Sequence, residues 1–528
     1  MKHTNKLTRL LLVLLALVMM LSAFAACTAE EEGGVASSEE SSNNNQGNNG
    51  GFQVGGRWDG WALDENGYIM DTLPEDMSFG DEFTVLADDT QKSHFYVKDE
   101  EIKGVDPDGN PVKPSPVKEA IYKRNNTVEE RLGITLQWKL ESCGSSKYAS
   151  FAEVCEADIS TNHDIDAVVA YNLAPYYLAH KGYLANLNDT TNLNLEAPWW
   201  PQEYLSSVLY KDQIYALVDN ASYGTINNLS CIFFNNTLLQ SKKIESPYDL
   251  VAKNEWTIPK LKELIKNTYS DVDGDGAVDG QSGGDIFGLC TSTAARLTCW
   301  YVGAGLRLST INDSGELVLN TDVEEYTKKI AAITDMFSTK DSLVISPPNA
   351  PNTDQYTMFK EKRVYFYLCV VDLATSMNQD EIVIDYGVVP NPKLESRQSR
   401  YYTHVPNTHE AWCLLNGMKD EECSSAFIEA MASESYRQVN PVYFEDTLKV
   451  RYASDEKLAE MYDLIRESIS FDFVYLYKYV FGSTNIDVKI RQCIQDPDKK
   501  WSGVWQGIEG DILEGFSNIL SVYEQKAQ

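Results

Sequence analysis

The sequence predicts an α/β protein of two domains, its sheets covered on both faces by helices. Three observations carry this. Strand-like apolar runs alternate with an amphipathic helix from Phe83 to Ala170. About 450 residues follow the N-terminal leader and linker, too many for one core and comfortable for two. Helical periodicity then dominates, broken by short strands.

Phe83 to Ala87 (FTVLA) reads as a short buried strand. Ser115 and Pro116 open a helix, Ser as cap and Pro in the first turn, which runs to about Leu132 and stops at Gly133. Ile134, Leu136, Trp138 and Leu140 alternate with polar neighbours, the period of a strand. Asp166 to Ala170 (DAVVA) is a further buried strand, and the aromatic segment Tyr171 to Tyr177 follows it. Beyond a turn-rich zone at Pro198-Trp199-Trp200, Ile214 to Asn235 has strand character in IYALV and CIFF. Helices are expected over Trp256 to Tyr269, Val323 to Phe337 and Glu456 to Ile469. In the last, Leu458, Met461, Tyr462, Ile465 and Ile469 form one apolar stripe. Short strands are expected at Val364 to Val371 and Tyr386 to Val389, and no internal repeat is present.

The N-terminus reads as an export leader. Lys2, Lys6 and Arg9 precede the 17-residue apolar run Leu10 to Ala26, which ends in small residues before Cys27. Phe24-Ala25-Ala26-Cys27 resembles a bacterial lipobox, which implies lipidation of Cys27; cleavage near Ala26 with an unmodified Cys27 is the alternative. Several acyl chains anchor firmly, at roughly 0.8 kcal/mol per buried methylene. From residue 28 to about 56, an acidic and Ser/Asn/Gly-rich stretch offers little to bury, the composition of a flexible leash. The expected location is the outer face of the cytoplasmic membrane.

Without the leader's Lys2, Lys6 and Arg9 the formal charge falls from −33 to −36. So acidic a chain argues against nucleic acid and anionic lipid headgroups as partners. The nine cysteines after Cys27 are scattered, with no Cys/His spacing for zinc and no predicted disulfide. HExxH and phosphate-loop motifs are absent.

Several segments recur in a familiar order: Ala120 to Asn125 with Val128 to Ile134; Lys181-Gly182-Tyr183-Leu184; Pro198-Trp199-Trp200; Ile214 to Leu217; Phe233 to Asn236; Trp256-Thr257; Asp273 to Gly276; Tyr386 to Lys393; and Tyr436 to Asp455. From Phe83 to the C-terminus the chain resembles bacterial extracellular solute-binding proteins of the family 1 type, the lipoprotein receptors of sugar ABC importers. That resemblance implies a two-lobed periplasmic-binding-protein-like fold of type II, with mixed sheets flanked by helices and lobes hinged by crossing segments. It implies a monomer that closes on a carbohydrate and hands it to a permease, with no chemistry of its own. The expected layout is a leader at 1–26, anchor, linker and lead-in at 27–80, lobe one at 81–228 and 409–443, lobe two at 229–408, and C-terminal helices of lobe two at 444–528. Crossings are expected near Tyr223 to Asn235, Thr408 to Leu415 and Pro441 to Phe444.

Sugars present C–H faces and paired hydroxyls, so a receptor needs aromatic platforms and planar polar side chains. The loops that the family places at the cleft nominate Asp88, Asp89, Tyr171, Asn172, Trp300, Asp372 and Trp412. For Asp88 and Asp89 the alternative is an ordinary turn, and for Tyr171 and Asn172 turn packing. Tyr475 and Tyr477 fit core packing better.

Asp271, Asp273, Asp275 and Asp279, with Gly276 between, have the alternating oxygens of a calcium loop. Ser282 replaces the bidentate Glu of an EF-hand, and Asp285 is placed to reach back. An acidic solvated turn is the alternative, and calcium there would be structural; no other cofactor is expected. Two competing functions remain, a surface-anchored glycoside hydrolase and a lipoprotein serving sensing or adhesion.

Overall fold

Ser115 caps the first long helix, Pro116–Leu132: its Oγ accepts from the Lys118 N–H at 3.4 Å, and Pro116 takes the first turn, where an N–H is dispensable. Gly133 ends the helix at φ 60°, a left-handed conformation that glycine adopts without strain. The computed structural model describes residues 60–90, 94–98, 102, 115–219, 222–276, 278, 284–293, 296–345, 353–379, 384–452 and 456–525. The leader, Cys27, the linker to residue 59 and Asp279 lie outside the described residues.

The helix falls between strands β1 (Glu82–Asp88) and β2 (Thr135–Glu141), and β3 (Ala167–Tyr171) follows. After a crossing, β4 (Ser230–Asn235), β5 (Phe287–Ser292), β6 (Ser342–Ile345), β7 (Val364–Val370) and β8 (Tyr386–Val389) build a second sheet. The chain then returns, and β9 (Glu410–Cys413) joins the first. The first sheet has the order β9-β3-β1-β2 and the second β8-β4-β7-β5-β6. Both are mixed: β9 runs antiparallel to β3, with Glu410 opposite Tyr171, and β4 runs antiparallel to β7 and β8. The remaining pairs are parallel.

Helices cover each sheet. Glu421–Glu434 lies against Pro116–Leu132, with the Phe427 ring 4.4 Å from Phe83. On the second half Val323–Phe337 packs against Ile486–Gln495 and Trp501–Gln525, and Tyr326 stacks on Trp501 at 4.9 Å. The lead-in is folded onto the first half: buried Asp71 accepts from Arg131 at 2.6 Å and from Ser433 at 2.6 Å.

The C-terminal part touches both halves. Glu456–Glu467 packs on β8. Asp487, fully buried, accepts from Thr298 Oγ1 (2.6 Å), Tyr301 OH (3.0 Å) and Arg491 (3.1 Å), which binds the end of the chain to the second half. Tyr477 and Tyr523 are core residues, and the Tyr176 ring of the first half lies 5.0 Å from Tyr477 while Tyr215 lies 5.2 Å from Tyr523.

Other expectations shift. IYALV forms no strand: Leu217 makes an isolated bridge with Trp412, and the Ile214 carbonyl accepts from the Leu187 N–H at 2.8 Å. The helix expected from Trp256 is Ile258–Ile265, capped by Thr257; Trp256 instead drives its indole into the core and donates to the Pro390 carbonyl at 2.8 Å. Ile469 leaves its helix for a two-residue strand pairing beside Thr403–His404. The segment Pro441 to Phe444, expected near a crossing, begins the π-helix Pro441–Tyr452. All nine cysteines after Cys27 are buried thiols, none of them in a disulfide.

Candidate functional site

In open α/β sheets the polar ends of strands leave a crevice beyond their carboxyl termini. Here Asp88 closes β1 and Tyr171 closes β3, while antiparallel β9 begins there at Glu410. From the second half, Asp372 opens the helix after β7, and Arg296 opens the helix after β5. The crossing helix Tyr223–Asn227 passes between.

At the centre His94 Nδ1 is hydrogen-bonded to Glu410 Oε1 in a short contact. Burial works against protonation of this imidazole. The charge and hydrogen bond of Glu410, with Asp372 and Asp88 beyond, prevail and raise its pKa above the ordinary value. Burial raises the pKa of Asp372, opposed by a hydrogen bond from Asn227 and by the charges of His94 and Arg296. Asp88 is fully buried: its Oδ1 accepts from Thr90 N (2.9 Å), Thr90 Oγ1 (2.7 Å) and Cys143 N (3.1 Å), and its Oδ2 has no partner among the described residues.

An aromatic ladder joins this cluster to the crossings. The His94 ring stands edge-on to Tyr223 at 5.3 Å, and Tyr223 edge-on to Tyr443 at 4.5 Å. Tyr443 OH donates to Asn227 Oδ1 at 2.7 Å. Thr408, on the return crossing, donates to Asn228. Gly224 is required by space: a Cβ there would lie 2.0 Å from Glu410 Oε2 and 2.7 Å from His94 Nδ1.

Beside the pair lies a small pocket lined by His94, Arg124, Asp219, Ser222, Glu410 and Trp412, among others. Its free space of ≈ 20 Å³ suits a water and not a sugar ring. Arg124 is buried, which depresses its pKa to about 10 despite Asp219 nearby; it donates to Ser435 Oγ (2.9 Å) and the Phe95 carbonyl (3.0 Å).

No family model and no curated protein matches the chain. Solved structures do. The GacH receptor of Streptomyces glaucescens GLA.O, solved unliganded and with acarbose and an acarbose homolog, superposes with a TM-score of 0.50 at 13% identity, over 84% of this chain and 99% of that one. An extracellular solute-binding protein from Staphylococcus aureus in complex with maltose gives 0.50 at 12% identity, over 83% and 98%. The chain has their two-lobed periplasmic-binding-protein-like fold.

In that fold the sequence-nominated residues divide. Asp88, Tyr171 and Trp412 of lobe one and Asp372 of lobe two come to the crevice region or its pocket wall. Burial pushes the Tyr171 phenol up to about 12, with Cys143 and Asp88 adding to it. Asp89 is half exposed at the rim, its N–H bonded to the Glu141 carbonyl. Asn172 is fully buried as a clasp: its amide meets His409 Nε2 at 2.8 Å, and His409 Nδ1 donates to Pro406 O at 2.7 Å. That neutral imidazole, depressed by burial to about 4, pins the return crossing to β3.

Trp300 is corrected outright. It is fully buried within lobe two, donating to Thr291 Oγ1 at 3.2 Å and edge-on to Phe337, so it presents no platform to the crevice. Sequence reasoning missed His94, Glu410, Asn227 and Arg296. No spacing marks them, because His94 and Glu410 stand 316 residues apart.

In the acidic loop, one carboxylate oxygen each of Asp271, Asp273 and Asp285 lie within 4.8 Å of one another. Buried Asp285 accepts from Tyr269 OH (2.8 Å) and Val272 N (3.1 Å). Asp275 is exposed and is not one of the three. Among the described residues no helix is long and apolar enough to cross a membrane.

Proposed function

We propose that this chain is an extracellular solute-binding receptor. It captures a small polar solute, a mono- or oligosaccharide, by hinge closure, leaves it chemically unchanged, and passes it to an ABC importer. On this reading Cys27, acylated, holds it at the outer face of the cytoplasmic membrane, and the chain acts as a monomer. The observation that carries the reading is the meeting of polar side chains from both lobes at the crossings: Asp88, His94 and Glu410 from one, Asp372 and Arg296 from the other. A solute touching both sets would be bound more tightly in the closed form than in the open one, and that difference is what drives closure. The solved neighbours, one with acarbose and one with maltose, support a carbohydrate.

The test is a thermal-shift screen of the mature protein against mono- and oligosaccharides, followed by product analysis of each hit. A rise in melting temperature with the sugar recovered intact is expected. Turnover of a hit would favour the hydrolase, and a panel with no shift would end the carbohydrate reading. Genes for a permease beside this one are expected; their absence would favour a sensory or adhesive lipoprotein.

As an accessory to this reading we propose structural calcium at Asp271, Asp273 and Asp285, whose hard oxygens suit that ion.

A further inference from the structure

We propose that lobe two carries a second sugar site, a cleft beside the edge strand β6 that takes one neutral monosaccharide unit. The inference goes beyond the receptor reading and does not depend on it, because the cleft shares no lining residue with the crevice pocket.

The cleft has the room. Its free space is ≈ 280 Å³ against ≈ 20 Å³ beside His94, so it admits a sugar ring where that pocket admits a water. Its lining runs from buried Leu297 and Ser342 to exposed Ser338 and Gln495, so it opens to solvent.

The lining then selects the guest. Half-buried Phe337 contributes an aromatic ring, held edge-on by Trp300 at 5.4 Å, and the C–H face of a sugar packs on such a ring. Thr334 Oγ1, Ser338 Oγ and Ser342 Oγ already donate to the carbonyls of Ile330 (2.9 Å), Asp335 (2.8 Å) and Met336 (3.0 Å). The Gln495 amide donates to the Thr293 carbonyl at 3.2 Å. A hydroxyl has one proton to give, so what these hydroxyls keep for a guest is acceptor oxygen. A fitting guest therefore donates, as sugar hydroxyls do. A hydrocarbon has no donor, and a carboxylate or phosphate would meet acceptors. Among the described residues lining the cleft none is charged, so an ion entering it would lose hydration without gaining a counter-charge. A neutral polyol with one apolar face meets all of these conditions.

The experiment is fluorine NMR of the mature protein, labelled with fluorotryptophan and titrated with D-glucose. Trp300 reaches the cleft through Phe337 and Trp412 lines the crevice pocket, so their resonances read the two sites separately. The Trp300 resonance is expected to shift saturably, with a Kd on the order of 1 mM. D-glucuronate, which brings a charge, is expected to bind roughly tenfold more weakly. Ser338→Tyr, at the exposed rim, fills the cleft and is expected to abolish the Trp300 shift while keeping the melting temperature and any Trp412 response. Phe337→Leu, which removes the ring and keeps an apolar side chain, is expected to weaken glucose by roughly three- to tenfold. The site is overturned if Trp300 is unmoved by glucose up to about 100 mM, is moved equally by glucuronate, or still moves in Ser338→Tyr. A Trp412 resonance that never responds counts against the crevice as a glucose site and leaves the cleft standing.

Discussion

Gly224 runs so close to Glu410 that one added carbon would stand 2.0 Å from the carboxylate oxygen. This places a crossing helix in direct contact with the pair at the centre of the crevice, so a movement of the crossing is felt by Glu410 and His94 together. Gly224→Ala must displace a side chain that is buried and tied to His94. The variant is expected to lose about 1–3 kcal/mol of stability. It should also bind any ligand of the crevice more weakly, as read by denaturant melts and titration calorimetry.

Asp487 is the buried hub of a charged network with Lys478 and Arg491. Burial works against its ionisation, yet the two cations and the Thr298 hydrogen bond hold its pKa well below the carboxylate range. Asp487→Ala leaves two cations without their counter-charge, and roughly 3–5 kcal/mol should be lost. Chemical denaturation measures it. A loss below about 1 kcal/mol would show that water replaces the carboxylate.

Glu429 gives a pH dependence of known sign. It is fully buried in the first lobe, where Trp200 Nε1 donates to it at 3.2 Å, and burial lifts its pKa to about 8. Its folded pKa exceeds the unfolded one, so its contribution is fully present below the unfolded value and is lost as pH rises towards about 8. Glu429→Gln is expected to flatten stability between about pH 5 and 8 and to be the more stable protein at the upper end. The gain there should be a few kcal/mol, since each tenfold difference in proton affinity between the folded and unfolded chain corresponds to about 1.4 kcal/mol. Melting temperature against pH for both proteins is the measurement.

For the acidic loop, millimolar calcium is expected to raise the melting temperature over chelator, and Asp271→Asn to abolish the rise. An unchanged melting temperature would leave these carboxylates as a solvated turn.

Most regular elements were legible because local chemistry decides them. Ser115, Pro116 and Gly133 bound a helix by capping alone, and Val323–Phe337 is read from its periodicity to the residue. β5 was not seen, since Phe287–Ser292 mixes glycine, threonine and serine into a strand that only burial between neighbours sustains. β9 is four residues long and owes its form to β3. The site was half legible: Asp88, Tyr171 and Asp372 follow strands that the sequence shows, so their position at strand ends could be inferred. His94 and Glu410 meet only because the chain returns to its first sheet. Trp300 misled because its helix turns the indole towards Thr291 and Phe337, a choice of face that the neighbouring glycines do not encode.

The late arrival of β9 bears on how the molecule comes into being. Until Glu410–Cys413 has been synthesised, β3 is an open edge of apolar residues with backbone groups free to pair elsewhere. Assembly therefore waits on contacts of very long sequence separation, the circumstance that slows folding most. A polypeptide truncated ahead of Glu410 would keep that edge uncovered and self-associate, so the earliest-made lobe is the last to become safe from aggregation.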